Sequence, residues 1–280
     1  MTYQHDFIDS ISNISEQVWD SLTSDHVFTR YAWLSALEKS GCVNKQTGWQ
    51  PQHLVIKQSD HIVAILPGYL KDHSYGEYVF DWAFAEAYER YRLEYYPKWL
   101  CGVPFTPVQG PRILCEHITP ELINYIEAAL LELGEKDFSG IHLNFLSEHT
   151  HFANTTLIPR RNVQFHWQNK GYQNFSDFLS ALNARKRKML SKERLKVQQQ
   201  SLTIRWFSGD EINEALLDAF YLSYRLTYLK RSGHNGYLNR EFFALIIKSL
   251  PHTVRLCCAL KDDDIVATSL YFVSDDTLYG

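Results

Sequence analysis

No stretch of this 280-residue sequence approaches the roughly 18 uninterrupted apolar residues that a membrane-spanning helix needs, so no transmembrane segment is expected. The opening "MTYQHDFIDS" lacks the charged and apolar regions of a secretory signal, and a cytoplasmic location is the expectation. Cysteine is scarce: Cys42, Cys101, Cys115, Cys257 and Cys258 form no C-x-x-C spacing, which leaves reduced thiols. There is no G-x-S-x-G and no Cys/His pair identifiable by spacing, so a covalent nucleophile has no support. His149 and His151 in "EHTH" have no third and fourth ligand nearby, and no metal is expected.

What is present suffices for a full core. At 45% apolar composition, the length fits one large domain or two of ordinary size. The net charge of −4 conceals an asymmetry. Residues 185 to 196, "RKRKMLSKERLK", hold seven Lys/Arg against Glu193, which puts +6 there and −10 on the remainder. A local basic segment is therefore expected, not a general polyanion binder.

Residues 28–40 place Tyr31, Leu34 and Leu37 at helical spacing, with Gly41 where a C-cap belongs. "HLVIKQSDHIVAILPGYL" reads as a β-hairpin turning between Gln58 and His61. Residues 83–99 set Phe84, Tyr88, Tyr91, Tyr95 and Trp99 on one helical face that Pro97 must end or kink. Helix 120–134, strand 140–146 and a strand-like "NVQFHW" follow. Next come the basic helix, strand 202–207, helices near 211–230 and 239–249, and a second hairpin over 254–273. The apolar stripe Phe175, Phe178, Leu179, Leu182 and Met189 predicts that one side of the basic segment packs on the protein.

The two hairpins resemble each other. "IVAILPGYLKDHSYG" (62–76) matches "IVATSLYFVSDDTLYG" (265–280) in Ile-Val-Ala, in Asp72 and Asp275, and in the final Tyr-Gly after one inserted residue. This predicts an internal duplication of an α/β unit, the first spanning 1–160 and the second 161–280. It also predicts that the second unit is incomplete, because the first continues well past Gly76.

"SYGEYVFDW" (74–82), "VPFTPVQGPR" (103–112), "FHWQNKGYQNFSDFL" (165–179), the Lys/Arg helix and "YLNREFF" (237–243) together resemble the FemAB-like family of predicted bacterial N-acyltransferases, peptidoglycan biosynthesis or recognition proteins. The resemblance covers essentially the whole chain. It implies the GNAT superfamily and kinship with Fem-type aminoacyltransferases, built from two tandem GNAT units. The implied fold is α/β, tandem GNAT-like (acyl-CoA N-acyltransferase) units with mixed, mainly antiparallel sheets flanked by helices. The implied reaction moves an acyl group from acyl-CoA or aminoacyl-tRNA to an amine, a small molecule or the peptide of a peptidoglycan-type precursor. Members run on through an Arg-Tyr-Trp-Gly continuation of "LYG", which again implies a C-terminally truncated second unit.

Within these motifs, Glu77 and Asp81 lie among aromatics, and carboxylates beside aromatic walls can be tuned to take a proton from an amine. A strand over 77–81 would set both on one face; the plain alternative is a core strand followed by a helix with solvated acids. Asp81 and Glu77 are the catalytic candidates, with Tyr75, Tyr78, Trp82 and Thr106 as substrate-binding candidates. Arg112 closes a proline-rich loop and could hold a carboxylate or phosphate, or cap something local. Arg185, Lys186, Arg187 and Lys188 are candidate contacts to transfer RNA or to a membrane-linked anionic precursor, or else a solvated helix face. The phosphate loop of acetyl-CoA enzymes is only half present, as Gln168 and Gly171 of "QNKGYQ". Two non-enzymatic readings stay open: a module binding cell-wall precursors, and an RNA-binding accessory protein.

Overall fold

The computed structural model describes residues 2–23, 26–147 and 149–280. Its backbone begins with β1 (Tyr3–Ile8), α1 (Glu16–Leu22) and α2 (Tyr31–Lys39), then β2 (Trp49–Pro51), β3 (His53–Gln58), β4 (His61–Leu66) and β5 (Gly68–Lys71). Next are α3 (Trp82–Arg90), β6 (Lys98–Cys101), β7 (Leu114–Cys115), α4 (Pro120–Asp137) and β8 (Ile141–Leu143). The remainder comprises α5 (Phe175–Ser180), α6 (Ala184–Gln198), β9 (Thr203–Ser208), α7 (Glu214–Ser232), α8 (Arg240–Ser249), β10 (Val254–Lys261), β11 (Asp264–Val273) and β12 (Leu278–Tyr279).

The first hairpin is long and bent. Its arms break at Gln52 and Pro67, passing from a sheet ordered β1-β3-β4-β7 to one ordered β2-β5-β6-β8. All pairings in these two sheets are antiparallel except β6 with β8. Leu54 and Ile56 of β3 point to one face, where with Ala64 and Leu66 they are sealed by Leu122, Ile126 and Leu130 of α4. Val55 and Ile65 point to the other face and join Trp19, Trp33 and Leu37 of α1 and α2. The alternation that identifies a strand thus serves two cores at once.

The second hairpin, β10–β11, forms the sheet β12-β11-β10-β9, with α7 and α8 against one face. The other face carries exposed Ile204, Trp206 and Val266. The two hairpins agree in geometry as well as in letters. Both turn on two residues with left-handed φ, Ser59 (50°) and Asp60 (65°) in one, Asp262 (49°) and Asp263 (68°) in the other. Each has a bulge at the same distance from its turn, where Val63 and Val266 fall outside the ladder. The order strand, 3₁₀ turn, helix, helix, hairpin occurs in both halves. Helices α2 and α8 even bury the same pattern, Trp33, Leu34 and Leu37 against Phe242, Phe243 and Ile246, and they pack on each other with the Trp33 and Phe242 rings 5.3 Å apart.

Several expectations need correction. The helix over 83–99 stops at Arg90, because Arg92 is left-handed (φ 58°) and Leu93 N–H bonds back to the Tyr88 carbonyl. Lys98–Cys101 is strand β6 instead. Residues 74–81 are a loop rather than a strand, with Gly76 at φ 78° and Tyr78 at φ 57°. "NVQFHW" joins no sheet among the described residues and lies exposed, Phe165 at 97%, with Gln164 donating to the Pro107 carbonyl at 2.7 Å. The stripe on the basic segment does not reach either core: Met189 and Phe175 are exposed, and Phe178 gathers Trp167, Tyr172 and Phe175 around itself on an arm of its own. The helix from 120 runs past Gly134 to Asp137.

Because Trp33 and Phe242 form the junction between the halves, Trp33→Ala and Phe242→Ala should each cost about 3–5 kcal/mol in urea unfolding. The double variant should cost less than the sum of the two, since each ring has already lost its partner. Strict additivity would mean that the junction is not held by this contact.

Candidate functional site

Two lysines at one end of the β5–β6 pair organise the site. Lys71 closes β5 and Lys98 opens β6; they sit opposite one another in the ladder, and both side chains are fully buried. Lys98 Nζ donates to Glu77 Oε2 at 2.9 Å, to Ser74 Oγ at 2.8 Å and, in a short contact, to Asp81 Oδ2. The Tyr95 hydroxyl donates to Asp81 Oδ2 at 2.7 Å, and Tyr96 shares a hydrogen bond of 2.8 Å with Ser74. Burial raises the Glu77 pKa against the pull of Lys98. Burial pushes Asp81 up too, but hydrogen bonds from Lys98, Tyr95 and Ser74 outweigh it and hold Asp81 below its ordinary value.

Lys71 Nζ donates to the Gly48 carbonyl at 2.8 Å and stands 3.8 Å from the centre of the Trp49 ring. Burial lowers its pKa from 10.5 to about 7, with Glu77 opposing and Lys98 reinforcing. His73 Nδ1 accepts the Tyr75 N–H at 3.2 Å, and its Nε2–H donates to the Thr47 carbonyl at 3.1 Å. Burial, aided by Lys71, holds His73 below its usual pKa, which agrees with a neutral ring.

Over this base lies a cleft of about 350 Å³ between the halves. From the first half come Cys42, Thr47, Trp49, His73, Tyr75 and Phe105. From the second come His234, Gly236 and Tyr237, preceding α8. Phe105 stacks on Tyr237 with centroids 5.1 Å apart and the planes 10° from parallel. Gly76 permits this: its φ is positive, and a Cβ there would lie 2.5 Å from the Phe105 ring. The Gly76 carbonyl accepts the Phe105 N–H, and Trp49 Nε1 donates to the Tyr75 carbonyl at 3.2 Å. His234 Nδ1 accepts the Gly236 N–H at 3.1 Å, which leaves Nε2 to carry the ring's proton.

The sequence candidates separate accordingly. Tyr75 lines the cleft, and Trp82 packs on its ring at 5.5 Å. Glu77 and Asp81 do come together, but around Lys98 and outside the cleft lining. Tyr78 reaches across the halves to share a 3.0 Å hydrogen bond with Tyr228, and its hydroxyl pKa is raised, chiefly by burial. Thr106 turns its hydroxyl to the Pro104 carbonyl beside the lining. Arg112 is fully buried, and its guanidinium donates to the carbonyls of Asn144, Pro111 and Val108. Arg185, Lys186 and Lys188 are exposed on α6, whereas Arg187 caps the end of α5 through the carbonyls of Leu179, Ser180 and Leu182. At Gly171 of the "QNKGYQ" loop φ is 88°, and nothing lies within 4 Å of a Cβ placed there. No grouping of three His, Cys, Asp or Glu side chains suited to a metal occurs among the described residues, and the His149 side chain lies outside them. Lys71, Lys98, Trp49, Phe105 and His234 were not anticipated; a lysine embedded in "GYLK" and "KWLC" was the available signal.

These features define a mixed α/β protein with an aromatic cleft between its halves. The profile of the FemAB-like family, described as peptidoglycan biosynthesis/recognition, matches residues 10–280, and the chain belongs to that family. Among solved structures it is similar to one titled "Crystal structure of FemX", at 14% identity and a TM-score of 0.43. That alignment takes in 92% of this chain and 57% of the other, so the chain spans little more than half the length of that protein. No curated protein matches. Among the described residues no helix is long and apolar enough to cross a membrane.

Removing one partner of the buried pair leaves charge unpaired, so Lys98→Met should destabilise by about 3–5 kcal/mol, and adding Glu77→Gln and Asp81→Asn should restore most of it. Lys71 gives a pH signature. Its folded pKa is depressed, so between about pH 7 and 10.5 the unfolded chain binds the extra proton, and stability rises with pH across that window. Wild type should gain on Lys71→Met over the same range, whereas parallel stability curves would assign Lys71 an ordinary pKa.

Proposed function

We propose that this chain is an N-acyl or aminoacyl transferase of peptidoglycan metabolism, and that the cleft walled by Trp49, Tyr75, Phe105 and Tyr237 holds its reactants. The observation that carries this reading is the cleft itself, a stackable pocket between two halves backed by a buried lysine network, in a chain of a peptidoglycan-related family. The donor is acyl-CoA or aminoacyl-tRNA and the acceptor an amine, a small molecule or the peptide of a cell-wall precursor. The amine attacks the activated carbonyl, a C–N bond forms, and the thioester or ester bond breaks. The proton leaving the amine balances the one taken up by the departing thiol or hydroxyl. His234 Nε2–H is one side-chain donor in the lining suited to steady the carbonyl oxygen.

Glu77 and Asp81 act from beneath as positioning residues. Their bonds to Lys98 fix the 72–82 loop that presents His73 and Tyr75. The chain is organised as two GNAT-like units, 1–160 and 161–280, a reading supported by the shared turn, bulge and helix pattern of the halves. The reaction belongs to the cytoplasm, where both donors are found.

A second reading is favoured by the exposed cations of α6. Transfer RNA, or a membrane-linked precursor, is held there, and the arm carrying Trp167 and Phe178 is the grip.

Transfer of radiolabelled acyl groups to a peptidoglycan precursor peptide, from acyl-CoA or from aminoacyl-tRNA, tests the reaction. Tyr237→Ala is expected to lower the rate at least about tenfold by removing the stacked wall. Neutralising Arg185, Lys186 and Lys188 should weaken tRNA binding and flatten its salt dependence only if RNA is the donor. Precursor binding with no turnover from either donor would make the protein a non-catalytic recognition module.

A further inference from the structure

The cations of α6 divide around its axis. Arg187 and Arg194, seven residues apart, face α5: Arg187 donates to the carbonyls of Leu179, Ser180 and Leu182, and the Arg194 guanidinium lies 4.3 Å from the centre of the Phe175 ring. Half a turn away, Arg185, Lys188, Lys192 and Lys196 recur at i, i+3, i+7 and i+11, a single row about 16 Å long on the side opposite α5. All four are exposed, and among the described residues no carboxylate forms an ion pair with a cation of this helix. Glu193, the one acid in α6, falls beside the row. Met189 and Leu195 flank it and stay half exposed, at 50% and 52%.

The charge is lopsided on a larger scale as well. Residues 158–198 hold ten Lys/Arg against Asp177 and Glu193, a net +8, which leaves −12 on the remainder of the chain. A flat anionic surface therefore attracts α6 and repels the rest, which turns the outer row toward that surface.

We propose that the outer row of α6 docks on an anionic lipid bilayer, with its lysine stems and the Met189 and Leu195 side chains lying in the headgroup layer. The chemistry of the row favours lipid over nucleic acid. Three of its four cations are lysines, point charges on flexible stems that can follow mobile headgroups, whereas a fixed phosphate backbone is met best by the planar fork of arginine. No aromatic stands in α6 for a base to stack on. The two aliphatic flanks gain from an apolar boundary, which a sugar-phosphate backbone does not offer. Attraction to anionic lipid accumulates with each cation and is screened by salt. Because the row lies on α6 and not in the cleft, this surface is independent of the proposed reaction.

Co-sedimentation of the full chain with vesicles tests the docking. Phosphatidylcholine vesicles containing about one third phosphatidylglycerol should bind the protein at least about tenfold more tightly than phosphatidylcholine alone at low salt, and the difference should largely vanish in about 0.5 M salt. Replacing Arg185, Lys188, Lys192 and Lys196 together by Gln should abolish the preference. Replacing Lys39, Lys230, Arg231 and Lys248, four exposed cations elsewhere, by Gln changes the net charge equally and should leave it nearly intact. Met189→Ser combined with Leu195→Ser should weaken vesicle binding severalfold while sparing its salt dependence. Equal loss in the two fourfold variants would reduce the attraction to net charge and overturn the docking surface. Equal binding to both kinds of vesicle overturns it too. So does a protein that ignores the anionic vesicles yet binds transfer RNA through the same four cations, which would make the row a nucleic-acid contact. Vesicle docking without transfer activity would sink the proposed reaction alone; transfer activity without docking would sink this inference alone.

Discussion

The ammonium group of Lys98 is fully buried, and the surrounding chain is arranged to satisfy it. Three acceptors must converge on one Nζ: a serine and two acids from the segment 74–81. That requirement draws the segment inward against β6 and forbids it from running as a strand. Gly76 and Tyr78 take left-handed conformations to make the turn. Once the loop is drawn in, Tyr75 is left at the rim, its carbonyl receives Trp49 Nε1, and Phe105 can settle over Gly76. The cleft is thus the outer surface of a structure whose inner surface is an ion cluster. A buried cluster of this kind adds little net stability compared with apolar packing, but it penalises every arrangement that leaves one charge alone.

The halves contribute unequally to this arrangement. The first has α4 sealed over its sheet, a second small sheet and the whole lysine network. The second supplies one wall of the cleft through the turn before α8 and otherwise extends outward in the arm of α5 and α6. Its sheet is packed on one face and open on the other, where the first half has its α4.

Much of the fold was legible because it depends on periodicity. Both hairpins, α2, α7 and α8 announce themselves through alternation or helical spacing, and their boundaries fall within a few residues of expectation. Even the likeness of the hairpins was visible in Ile-Val-Ala. The site was legible only in outline. The loop holding Glu77 and Asp81 and the "YLNREFF" turn were singled out, but the acids were assigned to the surface of a strand. What hid the arrangement was the two lysines. Each stands at a strand end, where a charge normally reaches solvent, and only the tertiary pairing of β5 with β6 turns both inward. Aromatic spacing over 83–99 is genuinely helical in period, yet the left-handed Arg92 divides it, and the later residues serve the ion cluster and β6 instead of a helix face. Local pattern cannot report such a choice, because long-range hydrogen bonds decide it.

The contact of Trp33 with Phe242 joins positions that correspond in the two halves. A self-matching contact of this kind is what a twofold axis produces between identical subunits. Here the two helices that meet belong to a single polypeptide. Covalent linkage frees its halves from sameness: a pair of identical subunits would have to duplicate the lysine cluster on both sides of the axis. A fused pair can keep one ion cluster and devote the other half to reach.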